Sequence, residues 1–393
     1  MSGSVIVAGA RTPIGKLSGA LGGFAAAELG GFAIAAALER AGVAPDQVDY
    51  VFMGQVIQAG AGQITARQAA AKAGIPMSVA ASTINKVCLS GLNTIYLADL
   101  MINAGEAEIV VAGGMESMTQ APYLLPGARG GYRIGDGKLV DSMMYDGLFC
   151  AFDQCAMGLG TERYNGADGV SRERQDAFSA LSHERAAAAI KEGRFAEEIV
   201  PVEVPQRKGD ALVVDTDEGV RGDTTAESLS RLRPAFDKEG TITAGNASQI
   251  SDGGAAVIVM SRAKAEELGV TPLGELVSYG QVAGPSPSLL HQPSHATSVA
   301  LAKAGLGVGD IDLFEINEAF AAVGLASTDD LGISGDIVNV NGGAIALGHP
   351  VGMSGTRLAL TSLLELRRRG GGTAAVSLCG GGGQGDAAIL RTI

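Results

Sequence analysis

What this chain has little of narrows its chemistry first. Charged residues occupy 18% of its 393 positions, against roughly 25% in a typical globular protein. That shortfall implies extra surface to bury and therefore association with further copies of the chain. Positive charge is the scarcer sign, with 29 Lys and Arg against 42 Asp and Glu and a formal net charge of −13. A nucleic-acid ligand is disfavoured, because neutralising phosphates takes clustered basic residues. An anionic substrate has to be met by a local basic patch, since long-range attraction is absent. The cysteines, Cys88, Cys150, Cys155 and Cys379, are too few and too widely spaced for a disulfide framework or a zinc-ligand set. No apolar run approaches the roughly 18 residues that cross a membrane. The opening MSGSVIVAGART lacks the basic segment and long apolar stretch of a signal peptide. A reducing, cytoplasmic setting is the expectation.

What is present is apolar and rich in glycine. Hydrophobic residues make up 46% of the chain, and 58 glycines cluster without a collagen-like period, which points to tight turns and close backbone approach. The length suggests two or three domains. Apolar runs at 5–10, 50–56, 108–114, 313–317 and 374–381 read as buried strands. Stretches of helical spacing at 29–42 and 355–370 lie between them. Fully apolar strands alternating with helices predict an α/β fold whose sheets are covered on both faces.

The chain also repeats itself. AGVAPDQVDYVF at 41–52 matches AGLGVGDIDLFE at 304–315. Ser90-Gly91 matches Ser354-Gly355, each opening a helix, and Gly113-Gly114 matches Gly380-Gly381. A long, nearly constant offset marks a duplicated domain, not a solenoid. A pseudo-twofold would bring equivalent loops together. The stretch 118–250 has no counterpart; it holds irregular pieces and one charged helix at 171–193, and it reads as an insertion able to build a substrate site.

Four histidines limit the choice of base. His183 falls in the charged helix, where a solvated face is expected. His291 and His295 flank Pro293 in a loop and either line a site or lie exposed. His349 stands in NVNGGAIALGHPVGMSGT, a glycine-rich strand-to-helix loop, either a structural turn or a well-placed base. Cys88 ends a strand-like stretch just before a helix. There the dipole would lower a thiol pKa, the alternative being an inert packed cysteine. Because Cys88 and His349 precede equivalent Ser-Gly pairs, a twofold would join them as nucleophile and base. Cys379 follows the last apolar strand and opens CGGGGQG, where backbone N–H groups have room to converge on a small anion. Cys150 and Cys155 read as packing. Asn317 is either a helix N-cap or the end of a strand directed at the site. GARTPIGK and GMSGT fail as a phosphate loop and a serine-hydrolase elbow, through Leu17 and Thr356.

Taken together, NKVCLSGL (85–92), NEAFAA (317–322), NVNGGAIALGHPVGMSGTR (339–357) and CGGGGQGDA (379–387) resemble the signature segments of thiolases. The likeness extends along the whole chain and looks nearest the biosynthetic, acetoacetyl-CoA branch. It implies a thiolase-like fold: two duplicated units in α-β-α-β-α layers with a large loop-domain insertion in the first. Residues 1–117 and 251–271 would form the N-terminal half, 118–250 the coenzyme A-binding insertion, and 272–393 the C-terminal half. It also implies roles: Cys88 carries the acetyl group, and His349 activates it and forms one oxyanion hole with a water held by Asn317. Cys379 exchanges the α-proton, and the N–H groups of Cys88 and Gly381 form a second hole. Arg221, Ser248, Leu148, Met157, Phe236, Ala244 and Phe320 fall where the family contacts coenzyme A, with RGDTTAESLSRLRPAF (221–236) and GTITAGNASQISDGGAA (240–256) forming that region. No metal and no covalent cofactor is implied; acetyl-CoA is the substrate and the chain a homodimer or homotetramer. Two positions depart from the family pattern. Ala156 stands where bacterial biosynthetic relatives have His, and Leu89 where many have a smaller residue. The alternatives are a degradative 3-ketoacyl-CoA thiolase of broader chain length, a ketoacyl-synthase-type condensing enzyme, and a non-catalytic acyl-CoA-binding homologue. The cysteine of CGGGGQG argues against the second.

Overall fold

A computed structural model describes residues 3–393, apart from the side chain of residue 168. Two sheets form its core. The first draws on β1 (Ser4–Arg11), β2 (Tyr50–Gly54), β3 (Ala80–Ile84), β4 (Ile109–Ser117) and β5 (Ser251–Ser261), in the order β1-β5-β4-β2-β3. The second draws on β6 (Glu275–Ala283), β7 (Leu313–Ile316), β8 (Thr373–Gly380) and β9 (Gln384–Arg391), in the order β6-β9-β8-β7. Both run antiparallel, antiparallel, then parallel across their first four strands. Strand for strand, the second sheet repeats the first, as the internal repeat predicts.

Helices lie between the sheets and on their outer faces. The helices of 11 residues or more, in chain order, are α1 (Ala26–Ala41), α2 (Ser90–Asn103), α3 (Met157–Asp168), α4 (Arg172–Lys191), α5 (Gln292–Ala304), α6 (Ala321–Leu331) and α7 (Ser354–Arg368). Leu92 and Ile95 of α2 and Leu358, Leu360 and Leu363 of α7 share one buried cluster with Val110 and Val257 of the first sheet and Val376 and Leu390 of the second. Each such side chain contributes roughly 1.5–3 kcal/mol by leaving water. Helix α7 is buried on every side from Ser354 to Leu366, as a helix enclosed by two sheets must be. Helix α1 covers the outer face of the first sheet and α5 that of the second. The resulting layers are α-β-α-β-α.

The excursion between β4 and β5 is tied back by charge. Arg11 on β1 donates to Asp217 through both terminal nitrogens, at 2.7 and 2.9 Å, and through Nε to Glu198 at 2.6 Å. All three side chains are buried, and the bidentate geometry is the strong form of such a pair. Removing one partner would strand a buried charge.

The glycine-rich end of β8 differs from the sequence expectation. Gly382 and Gly383, at φ of 79° and 70°, turn the chain tightly into β9. Most of that glycine run makes a hairpin, because left-handed backbone is what a tight reversal needs and glycine adopts it without strain.

Candidate active site

Cys88 sits between β3 and α2, where the backbone is forced. Val87 takes φ of +52°, an unfavourable region for a β-branched residue that persists only where its surroundings fix it. The Ser90 hydroxyl accepts the Lys86 N–H at 2.8 Å and donates to the Val87 carbonyl at 2.6 Å. Lys86 in turn reaches across to Asp386 on β9, at 2.7 and 2.8 Å. Tyr279 donates to the same carboxylate at 2.7 Å. The loop that presents the thiol is thus bolted to the second half.

The second half contributes three segments. His349 follows the short helical turn at 344–347, and its Nδ1 lies 2.6 Å from Ser354 Oγ. Ser354 donates to the Pro350 carbonyl at 3.0 Å, so the imidazole supplies the proton of the shorter bond. Nε2 is then left as an acceptor, facing the Asn317 amide at 3.3 Å. Asn317 lies just past β7 and is not a helix N-cap, since α6 begins four residues later with Phe320 as its cap. Asn317 Oδ1 is buried with no partner among the described residues. Cys379 is the penultimate residue of β8, fully buried.

The strand end of β8 closes on the Cys88 loop. A methyl group on Gly380 would meet Leu89 at 2.6 Å, and one on Gly381 would meet Val87 at 3.3 Å. The bulk of Leu89, an oddity in the sequence, is therefore housed by the missing side chain of Gly380. Cys88 packs with Val56, Ile57, Met118, Val351 and Leu148, whereas Cys379 packs with Phe320, Leu289 and Met157. Burial pushes the Cys88 thiol up to about 12 and Cys379 higher still, with the nearby Cys88 adding to the second shift. Burial, aided by the Arg357 charge, drops His349 to about 3. Helix placement alone predicts a lowered Cys88 pKa; desolvation of the sulfur outweighs it. The resting groups are a neutral thiol and a neutral imidazole.

A cavity of about 450 Å³ opens beside His349, walled by packing neighbours of the two cysteines and not by Cys88 or Cys379 themselves. Leu148, Met157, Arg221, Phe236, Ala244, Ser248, Phe320 and His349 all line it, together with Ala156, Met118 and Val351. Phe236 fits because Gly158 has no side chain: a methyl there would meet the ring at 2.3 Å. The cavity wall is mostly apolar with Arg221 at its margin, suited to a long thin chain with an anionic end.

His183 is a correction to the sequence reading. It is buried, and its Nδ1 accepts the Arg221 N–H at 3.2 Å. Burial and the Arg221 charge lower its pKa to about 4. No sequence signal separates it from the exposed residues of the same helix. His291 bonds Asp330 at 2.8 Å and stacks near His295, away from the cavity lining. Cys150 and Cys155 are buried cross-strand neighbours in a small hairpin. Among the described residues no cluster of metal-ligating side chains occurs, and no helix is long and apolar enough to cross a membrane.

A duplicated five-layer fold with two cysteines and a histidine at the seam defines a class, and the chain belongs to the thiolase family. The models for the thiolase N-terminal and C-terminal domains match residues 4–263 and 270–392. It is an acyltransferase. A probable acetyl-CoA acetyltransferase of Mycolicibacterium smegmatis is 59% identical over 98% of this chain and all of its own. A probable acetyl-CoA acetyltransferase of Mycobacterium tuberculosis is 57% identical, and the acetyl-CoA acetyltransferase of Cupriavidus necator 54%, both over the full length of each chain.

Proposed function

We propose that the chain is an acetyl-CoA C-acetyltransferase. It joins two acetyl-CoA into acetoacetyl-CoA and coenzyme A, reversibly and by a ping-pong route through acetyl-Cys88. The observation that carries this reading is one apolar cavity whose wall holds His349 together with packing neighbours of Cys88 (Met118, Leu148 and Val351) and of Cys379 (Met157 and Phe320).

The chemistry follows from the protonation states. Neutral His349 offers Nε2 to the Cys88 proton as sulfur attacks the thioester carbonyl. Coenzyme A leaves with the proton of Cys379, so that acetyl-Cys88, imidazolium and a Cys379 thiolate remain. The thiolate takes an α-proton from the second acetyl-CoA. The enolate carbon then bonds to the acetyl carbon, the Cys88 C–S bond breaks, and the imidazolium returns its proton to Cys88. Asn317, holding a water beside His349, and the N–H groups of Cys88 and Gly381 are the oxyanion donors in this scheme. Loss of one such donor typically costs roughly 100- to 1000-fold. Two cysteines are needed because acyl carriage and proton exchange are separate tasks.

Coenzyme A is substrate here, lying along Leu148, Met157, Phe236, Ala244, Ser248 and Phe320 with its nucleotide toward Arg221. We take residues 1–117 with 251–271, 118–250, and 272–393 as the two halves and the inserted loop domain. We also read the chain as a cytoplasmic homo-oligomer. The exposed apolar side chains Tyr123, Ile134, Leu139, Tyr145 and Phe152 in the insertion support association. Broader chain length is the second reading, favoured by the apolar wall of Met144, Leu148, Ala156 and Met157. Comparable thiolysis of acetoacetyl-CoA and 3-ketodecanoyl-CoA would establish it. The primary test is mass spectrometry after incubation with acetyl-CoA: an acetyl adduct is expected on the Cys88 peptide, and its absence rejects the proposal.

A further inference from the structure

Glu116 is a buried acid that none of these steps uses. It stands near the end of β4, fully excluded from solvent. Its carboxylate accepts three backbone N–H groups: Val56 and Gly352 on Oε2, both at 3.0 Å, and Ile57 on Oε1 at 3.1 Å. Val56 and Ile57 follow β2 in the first half. Gly352 belongs to the second half, three residues beyond His349. Val56, Ile57 and Val351, the neighbour of Gly352, are walls of the Cys88 cluster. One side chain therefore holds the backbone on both sides of the seam that the thiol and the imidazole face.

Its charge does not explain its position. A carboxylate near Cys88 pushes the thiol up, opposing the thiolate. Burial itself raises the pKa of Glu116, to about 7. A buried acid disfavoured on both counts is retained at a cost, and what it gains is the three-way backbone contact. The spacing it spans is tight: the Gly352 carbonyl is packed against Gly54, Gly91 and Gly114 with no side chain between, and Thr356 Oγ1 donates to the Gly91 carbonyl at 2.8 Å nearby.

We propose that Glu116 is a positioning residue, fixing the His349 loop of the second half against the walls around Cys88 and so setting the path of the proton between them. The inference rests on the acetyl-Cys88 reading. Glu116→Gln keeps the size and one acceptor oxygen but turns an amide donor toward a backbone N–H. Glu116→Asp draws the carboxylate back by one methylene. Thiolysis kinetics, the rate of adduct formation at Cys88 and the melting temperature would be measured for both. A kcat lower by roughly 10- to 100-fold is expected, with KM within about twofold and adduct formation slowed in parallel; sub-ångström to ångström displacement costs that much. Wild-type kcat in a folded variant, or a loss that only tracks the unfolded fraction, overturns the proposal. If the wild-type enzyme itself forms no adduct, the acetyl-Cys88 reading fails instead, and the split between kcat and KM still decides the role of Glu116.

Discussion

His349 Nδ1 and Ser354 Oγ stand 2.6 Å apart, and the hydroxyl already donates elsewhere, to the Pro350 carbonyl. This pair selects the tautomer of the imidazole. Ser90, its counterpart in the first half, performs a parallel task by holding the Lys86–Val87 backbone ahead of Cys88. One duplicated serine thus orders both the loop of the nucleophile and the base. Ser354→Ala should leave a buried Nδ1–H without a partner, at about 1–3 kcal/mol. Acetylation of Cys88 should slow by roughly 10-fold or more. An unchanged rate would show that the ring is oriented by other contacts.

Cys379→Ser should separate the two half-reactions. The variant should still take an acetyl group from acetyl-CoA onto Cys88 but lose condensation and thiolysis turnover. Normal condensation by this variant would overturn the proton-exchange role given to Cys379.

The pH dependence follows from burial of the thiol. Because Cys88 is pushed up to about 12, its thiolate fraction in the free enzyme should grow with each pH unit across the neutral range. Alkylation of Cys88 by iodoacetamide should rise about tenfold per unit and show no plateau near the ordinary thiol value of about 8.5. A plateau at or below neutral pH would mean that a resting thiolate exists after all.

His183 supports Arg221 through one bond to its N–H. His183→Ala should raise KM for coenzyme A about fivefold, the order expected for a single hydrogen bond of about 1 kcal/mol. At saturating substrate kcat should hold. A fall in kcat at unchanged KM would place the effect at the seam instead.

Two glycines should respond in opposite directions. A methyl on Gly114 would fall 1.9 Å from the Gly352 carbonyl, whereas one on Gly166 meets nothing within 4 Å. Gly114→Ala should therefore cost well over about 3 kcal/mol or prevent folding. Gly166→Ala, in α3, should be neutral or stabilising by about 0.5–1 kcal/mol. Equal melting temperatures for the two variants would contradict the close packing described.

Much of this was readable in the residues, because local and global signals agree there. The strands at 50–54, 109–117 and 313–316 are mostly apolar and buried on both faces, and the repeated Ser-Gly pairs mark the helices that meet at the seam. Other features depend on partners far away in the chain. Nothing near His183 in sequence reveals that the Arg221 backbone will cover it. The clamp of Arg11 on Glu198 and Asp217 spans some two hundred residues. The lowered Cys88 pKa expected from helix position alone misses the apolar walls that the fold brings around it. The β8–β9 hairpin was hidden because five glycines suit an anion cradle and a reversal equally well.

The bare backbone contact of Gly54, Gly91 and Gly114 with Gly352 bears on how this enzyme can be re-engineered. A library at those four positions would return mostly unfolded clones, since every added atom pries the halves apart. Diversity placed at Met144 and Ala156, which line the cavity but belong to neither cysteine's packing cluster, would alter the outer wall and leave the reacting groups where they are. The inner surface works as a fixed die and the outer wall as its exchangeable jaw.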